Sequence, residues 1–135
     1  MKIKEKESKK EKNPKIVWLI EDNVAYASSL KRMADIFGVK ILHFTSGEEL
    51  LEKIEKEKLE LPSLILVDGD LGPENKKGWE IIQEIKNLGI KAKIIGQSAN
   101  KEFNEKMLEY GADEVIEKVT DLKRLFKIFE DIQES

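Results

Sequence analysis

The sequence predicts an α/β domain, in which a doubly wound parallel sheet of five strands lies between two layers of helices. After Pro14, short apolar runs rich in Ile, Leu and Val alternate with longer amphipathic segments. This alternation is typical of repeated strand–helix units, whose right-handed connections place helices on both faces of the sheet. The length of 135 residues suits one domain. We therefore expect a three-layer αβα architecture.

The first half of the domain begins with the run 16–20, which is continuously apolar and is predicted to be a strand buried on both faces. A helix follows over about residues 24–37, and Gly38 is suited to its C-terminal cap. The second strand covers residues 40–44. It contains the only histidine, His43, which we interpret as a packed or edge side chain rather than a ligand.

The second helix is predicted to begin after Ser46, because Glu49 three residues later completes a capping box. Pro62 ends that segment. The next apolar run, residues 64–67, is predicted to be the third buried strand. A polar loop over residues 68–77 separates it from the following helix.

The second half continues the alternation with shorter elements. We predict two strands and three helices in chain order, with glycines ending the first two helices. These elements cover residues 79–88 (helix), 93–96 (strand), 101–110 (helix), 114–116 (strand) and 121–132 (helix). Residues 97–100 are predicted to be a loop.

The composition excludes several classes of site. The chain contains no cysteine and one histidine, which excludes a disulfide scaffold, a cysteine-ligated metal centre and a thiol nucleophile. No apolar run approaches the ~20 residues of a membrane span. We therefore expect a cytoplasmic protein that does not enter a membrane.

The net charge of −3 conceals a basic N-terminus, because residues 1–13 hold six lysines against three glutamates. That segment lacks arginine and aromatic side chains, so we expect no direct contact with nucleic acid. Residues 1–14 are predicted to be a disordered tail, and residues 15–135 are predicted to form the domain.

Polar side chains follow four of the predicted strands, and the carboxyl ends of parallel strands meet at one edge of the sheet. The residues at these strand ends are Glu21, Asp22, Asn23, Asp68, Asp70, Ser98, Asn100, Glu117 and Lys118. Any one of them is also typical of a turn or a helix cap. Their coincidence at matching strand ends favours a functional site.

The chemistry of this set indicates a phosphoryl-binding site. Carboxylates crowded at one edge raise one another's proton affinity, and a divalent cation relieves the crowding. Oxygen-rich sites suit Mg²⁺, which takes one or two carboxylates together with phosphate oxygens. Lys118 can bind a phosphoryl oxygen as a point charge, and Ser98 can donate a hydrogen bond to another.

Four stretches of this sequence together resemble the receiver domain of two-component response regulators over about residues 15–130. They contain an acidic pair after the first strand, an aspartate after the third, a hydroxyl followed by a small residue after the fourth, and a lysine after the fifth. These stretches are 16–23, 64–71, 94–99 and 111–118.

The resemblance implies a flavodoxin-like fold with strand order 2-1-3-4-5, and it assigns a role to each matched residue. Asp68 is implied to be the nucleophile that becomes an aspartyl phosphate, and Ser98 and Lys118 are implied to hold phosphoryl oxygens. The implied ligands of Mg²⁺ are Glu21 (through water), Asp22, Asp68 and the main-chain carbonyl of Asp70. The protein is then a phosphoacceptor rather than an enzyme.

The resemblance also implies the partners. A histidine kinase or a histidine phosphotransfer protein would supply the phosphoryl group, and a target protein would bind the face formed by helix 4, strand 5 and helix 5. Because the chain ends at Ser135, a stand-alone receiver is expected, with a fragment of a longer regulator as the alternative.

The sequence departs from the receiver pattern at three places, which keeps other functions open. Val119 stands where proline is usual, Val115 stands where many members carry an aromatic switch residue, and the loop over residues 68–78 is about two residues longer than usual. One alternative is a pseudo-receiver, a binding module that is never phosphorylated. The other is a haloacid-dehalogenase-like phosphatase, because residues 68–70 match its nucleophile-x-acid pattern, although in that family the pattern follows the first strand.

Overall fold

The computed structural model describes residues 15–135, and the predicted tail over residues 1–14 lies outside the described residues. The strands are β1 (Ile16–Ile20), β2 (Lys40–Phe44), β3 (Leu64–Asp68), β4 (Lys93–Ser98) and β5 (Glu114–Glu117). The helices are α1 (Val24–Ile36), α2 (Gly47–Lys56), α3 (Gly78–Asn87), α4 (Lys101–Glu109) and α5 (Leu122–Glu134). Within this part of the chain, no helix has both the length and the apolar character needed to cross a membrane.

The five strands form one parallel sheet in the order β2-β1-β3-β4-β5, which confirms the predicted fold and strand order. The strand that follows β1 in the chain, β2, lies on one side of β1, and the next strand, β3, lies on the other side. The direction in which strands are added to the sheet therefore reverses between β1 and β3. Ligands of open α/β sheets bind at the carboxyl ends of the strands beside such a reversal. This topology places the ends of β1 and β3 next to each other.

Alternating side chains of the buried strands enter two separate cores. On one face, Trp18 of β1 packs with Ile65 and with residues of α2, α3 and α4. On the other face, Leu19 packs with Leu66 and with residues of α1 and α5. Burial on both faces explains why the central strands are continuously apolar instead of alternating with polar residues. The sheet is therefore held between two helix layers.

The structure lengthens β4 beyond its predicted end. Gln97 lies opposite Asp68 of β3 and Ile116 of β5, and Ser98 lies opposite Glu117. The prediction that residues 97 and 98 belong to a loop was wrong. These two polar residues follow a glycine and resemble a loop in sequence, but neighbouring strands on both sides satisfy their backbone groups.

Side-chain caps begin the helices that follow β1, β2 and β4. Asn23 accepts a hydrogen bond from the Tyr26 N–H, and Asn100 accepts hydrogen bonds from the N–H groups of Glu102 and Phe103. Ser46 accepts from the Glu49 N–H, as predicted. Such caps satisfy backbone donors at helix starts. They also define where each chain segment turns away from the edge of the sheet.

Candidate functional site

The ammonium group of Lys118 connects two buried carboxylates at the carboxyl edge of the sheet. Its Nζ donates to Oε2 of Glu21 at 2.8 Å and to Oδ2 of Asp68 at 3.0 Å. The two acidic side chains are nearly inaccessible to solvent, and the lysine side chain is 16% exposed. Three strands, β1, β3 and β5, thus each bring one charged group to the same point.

The acidic residues at this point have the composition of a magnesium site. Glu21, Asp22 and Asp68 offer carboxylate oxygens that lie within 4.8 Å of one another. Oε1 of Glu21 is buried and has no hydrogen-bond partner. A buried carboxylate oxygen without a donor is costly, and a bound cation would satisfy it. The residues present therefore fit Mg²⁺, which prefers oxygen ligands.

Burial raises the proton affinity of both buried carboxylates. Burial is the main reason that the pKa of Glu21 rises to about 7, and the negative charge of Asp68 adds to the rise. Burial also raises the pKa of Asp68, although the charge of Lys118 opposes that rise. For Lys118, burial lowers the pKa, but the hydrogen bond to Glu21 and the charge of Asp68 outweigh it, so that the pKa lies above its usual value.

Ser98 lies at the end of β4 beside the loop that follows the acceptor candidate. A Cβ built on Gly69 would lie 3.1 Å from the Cβ of Ser98, so the backbone passes closely here. The Ser98 hydroxyl accepts a hydrogen bond from the Asn100 N–H at 3.0 Å, and its carbonyl accepts from the Lys118 N–H at 3.2 Å. The structure thus connects the backbones of the predicted hydroxyl and lysine positions.

Asp70 points its carboxylate into its own loop rather than at the acidic cluster. It accepts a hydrogen bond from the Gly72 N–H and forms an exposed ion pair with Lys77 at 3.3 Å. The Gly72 hydrogen bond is the main reason that the pKa of Asp70 is lowered. The Asp70 N–H donates to Oδ1 of Asp68 at 3.2 Å. The predicted role of the Asp70 main-chain carbonyl in metal binding stays a prediction.

A comparison with families of known proteins agrees with this geometry. A sequence model described as the response regulator receiver domain matches residues 17–130, which is most of the chain.

The chain belongs to the response regulator receiver family.

Similar proteins support this membership. Chemotaxis protein CheV1 of Helicobacter pylori is 29% identical over 119 residues, which cover 84% of this chain and 37% of that protein. The chain therefore spans little more than a third of the length of this curated relative. A CheY-like receiver domain protein from Methanospirillum hungatei is 28% identical, with a TM-score of 0.70 over 90% of this chain and 98% of the other. The receiver domain of NtrX from Brucella abortus, at 21% identity, shows the same fold, with a TM-score of 0.73 over 88% and 98% of the two chains.

Of the two valines that depart from the receiver pattern, only Val119 has an unusual backbone conformation. Val115 is half-buried and packs against the core on the α4 side of the sheet. Val119 adopts φ = 76°, and every peptide bond of residues 15–135 is trans. A β-branched residue at positive φ is strained. The segment directly after Lys118 is therefore a strained turn.

Three side chains at the receiver site are not predicted from the sequence to lie there. His43 Nε2 lies 2.7 Å from the main-chain oxygen of Glu21, Tyr26 lies against Lys118, and Gln97 is fully buried beneath the site. Gln97 had no local signal, because a polar residue directly after a glycine is typical of a loop. Tyr26 and His43 had none either, since only the tertiary structure brings α1 and β2 to this point.

Proposed function

We propose that this receiver accepts a phosphoryl group on Asp68, with residues 15–135 as the functional unit, and that a histidine kinase or a histidine phosphotransfer protein is the donor. The observation that carries the proposal is the position of Asp68. Asp68 ends the central strand β3 and is only 3% exposed. Its carboxylate lies within hydrogen-bonding distance of the Lys118 ammonium. Asp68 also forms, with Glu21 and Asp22, an acidic cluster that fits a divalent cation.

The proposed reaction is the transfer of a phosphoryl group between two side chains. An Asp68 oxygen attacks the phosphorus, the new P–O bond forms, and the P–N bond to the donor histidine breaks as the imidazole leaves. Phosphoryl transfer has a loose transition state, so catalysis depends on positioning and charge stabilisation. Water attack on the phosphorus later returns the Asp68 carboxylate and releases inorganic phosphate.

The residues around Asp68 have complementary parts in this proposal. Lys118 would turn from the carboxylates to a phosphoryl oxygen, and the Ser98 hydroxyl would donate to another. Glu21, Asp22, Asp68 and the main-chain carbonyl of Asp70 would hold Mg²⁺. When bound, Mg²⁺ would neutralise the charge that otherwise repels a phosphoryl group from this acidic cluster.

The output surface in this proposal is the face formed by α4, β5 and α5. Asn104 of α4 donates to the carbonyls of Ser98 at 2.9 Å and Ile116 at 3.4 Å, so that α4 is attached to the strands that carry the site. On α5, Arg124 forms two hydrogen bonds with Glu114 of β5. A shift of Ser98 or Lys118 on phosphorylation would therefore change the relative populations of two positions of this face, to which a target protein binds.

The decisive experiment uses a small-molecule phosphoryl donor. The protein is incubated with acetyl phosphate and Mg²⁺, and its intact mass is measured for the wild type, for Asp68→Asn and for Asp35→Asn. Asp35 is an exposed carboxylate of α1 and serves as the matched control. We expect one phosphoryl adduct in the wild type and in Asp35→Asn and none in Asp68→Asn.

Other outcomes would point to other functions. An absence of any adduct, together with no binding of Mg²⁺ or beryllofluoride, would contradict the proposal and favour a pseudo-receiver. Rapid turnover of a general phosphate ester would favour a phosphatase. An adduct that survives in Asp68→Asn would show that another residue is the acceptor.

A further inference from the structure

The ring of Tyr26 lies against the same ammonium group that connects the two buried carboxylates. Lys118 Nζ is 4.7 Å from the centroid of this ring. Tyr26 is in the first turn of α1, and its side chain is half-buried. The face of an aromatic ring attracts a cation at this distance, more strongly where water is excluded. Lys118 is thus held by two carboxylates and one ring.

The hydroxyl of Tyr26 fixes the orientation of that ring. It donates to Oε1 of Gln97 at 3.2 Å. Gln97 is fully buried in β4, in register with Asp68, and its Nε2 has no hydrogen-bond partner among the described residues. A buried amide with an unpaired donor is destabilising, whereas an aliphatic side chain would fill the position without that cost. The amide is therefore poorly explained by packing alone.

The protonation of Tyr26 agrees with this arrangement. Burial raises the pKa of Tyr26 to about 12, so its hydroxyl keeps its proton and remains a donor at neutral pH. The ring also packs against the core on the α1 side of the sheet. If the ring only packed against the core, another apolar side chain would replace it equally well. If the ring binds the Lys118 ammonium, such a replacement should change the position of that ammonium.

We propose that Tyr26 is a positioning residue that holds the Lys118 ammonium at the acceptor carboxylate, and that Gln97 keeps the ring in place. The inference rests on the proposed function, because Lys118 must lie beside the incoming phosphoryl group for its position to matter. During transfer, Lys118 exchanges a carboxylate oxygen for a phosphoryl oxygen. The ring takes no part in that exchange of oxygen partners, so it can stay in contact with the ammonium before, during and after the transfer.

The test combines a spectroscopic signal with phosphorylation kinetics. The variants are Tyr26→Phe, which keeps the ring, Tyr26→Leu and Tyr26→Met, which remove it, and Gln97→Leu, which removes the partner of the hydroxyl. Tyr110→Leu is the matched control, because Tyr110 is a tyrosine at the end of α4, is 39% exposed and lies outside the site. Circular dichroism establishes that each variant is folded.

The first measurement needs no phosphorylation. In NMR spectra of metal-free protein with ¹³C-labelled lysine, the ring face should shift the ε-methylene protons of Lys118 upfield. We expect this shift in the wild type and Tyr110→Leu, its loss in Tyr26→Leu and Tyr26→Met, and a smaller shift in Tyr26→Phe and Gln97→Leu, both of which lack the hydrogen bond between the Tyr26 hydroxyl and Gln97. Absence of the shift in the wild type would overturn the inference.

The second measurement is the rate of phosphorylation by acetyl phosphate with Mg²⁺. Loss of the ring should lower the maximal rate about fivefold, the size expected for a cation–π contact that is partly shielded from water, with little change in the acetyl phosphate KM. Tyr26→Phe should restore the rate to within about twofold of the wild type. Equal rates in wild type and Tyr26→Leu, or equal losses in Tyr26→Phe and Tyr26→Leu, would overturn the inference.

The two measurements separate the inference from the proposed function. A wild type that shows the upfield shift but takes no phosphoryl group would refute the function and, with it, the kinetic role of Tyr26. A wild type that is phosphorylated but shows no shift would leave the function intact and refute the inference alone. If Tyr26→Leu fails to fold, Tyr26→Met and Tyr26→Phe give the same comparison.

Discussion

Lys118 Nζ lies 3.0 Å from Oδ2 of Asp68, although the two residues are 50 positions apart in the chain. The contact exists because β3 and β5 are parallel, so that their carboxyl ends lie at the same edge of the sheet. The same ammonium also neutralises Glu21. The metal-free protein therefore uses its own lysine as the counter-ion of a buried acidic pair.

The affinity for Mg²⁺ should depend on pH near neutrality. Burial and Asp68 raise the pKa of Glu21 to about 7, and a metal ion competes with the proton for such a carboxylate. Titration calorimetry should show about a tenfold weaker affinity at pH 6 than at pH 8. Glu21→Gln should flatten this part of the profile, whereas Glu48→Gln, an exposed change, should keep it. An affinity that is constant from pH 6 to pH 8 would contradict the assignment of Glu21 to the metal site.

The same pKa has a consequence for folding without metal. Because the pKa of Glu21 in the folded protein lies above the ordinary value of 4.5 for a glutamate, the folded state binds more protons than the unfolded state between pH 4.5 and about 7. The contribution of Glu21 to the free energy of unfolding is therefore fully present below about pH 4.5 and is lost as the pH rises through about 7.

Lys118→Ala should destabilise the metal-free protein, because it leaves Glu21 and Asp68 buried without their cation. We expect the free energy of unfolding in urea to fall by about 3–5 kcal/mol at pH 8. The loss should be smaller at pH 6, below the pKa of about 7 at which Glu21 takes up a proton, and Mg²⁺ should recover part of it. Lys77→Ala removes a lysine paired with the largely exposed Asp70 and should cost about 0–1 kcal/mol. Equal losses in the two variants would show that the buried pair needs no counter-ion.

Gly78→Ala should damage both the fold and the site. A Cβ at Gly78 would collide with the main-chain oxygen of Asp68, and it would lie 2.9 Å from the Cα of Gly69. Backbone atoms cannot move aside cheaply, so we expect a loss of about 2–3 kcal/mol in urea unfolding and slower phosphorylation. Gly96→Ala is the comparison, because its Cβ would meet the flexible end of Met107 at 2.6 and 2.8 Å and should cost about 1 kcal/mol. If Gly78→Ala is as stable as Gly96→Ala, the close approach at Gly78 does not constrain the loop after Asp68.

Val119→Gly should stabilise the protein. Val119 is 59% exposed and has φ = 76°, so the substitution relieves backbone strain and removes little packing. Relief of the strain should exceed the entropic cost of glycine and raise the free energy of unfolding by about 1 kcal/mol. Val24→Gly, a similarly exposed valine at the start of α1, should instead lower it. A lower melting temperature for Val119→Gly would show that this turn is not strained.

The amino-acid sequence by itself determined the fold and the main acidic residues of the site. Continuous apolar runs predicted the buried strands, amphipathic spacing predicted the helices, and carboxylates directly after β1 and β3 predicted the cluster of Glu21, Asp22 and Asp68. These features are local, because strand burial and strand ends are visible within a few neighbouring residues. The resemblance in four stretches then indicated the receiver family, which the family match confirms.

Only the tertiary structure decided which other side chains meet at that edge. From the sequence, Gln97 is predicted to be a loop residue, but in the structure it is a strand residue that β3 and β5 flank on both sides. Tyr26 and His43 reach the site from α1 and β2, and nothing near them in the chain indicates Lys118 or Glu21 as a neighbour. Contacts between distant residues depend on how the sheet is ordered and how the helices pack on it, and local periodicity carries no information on those distances.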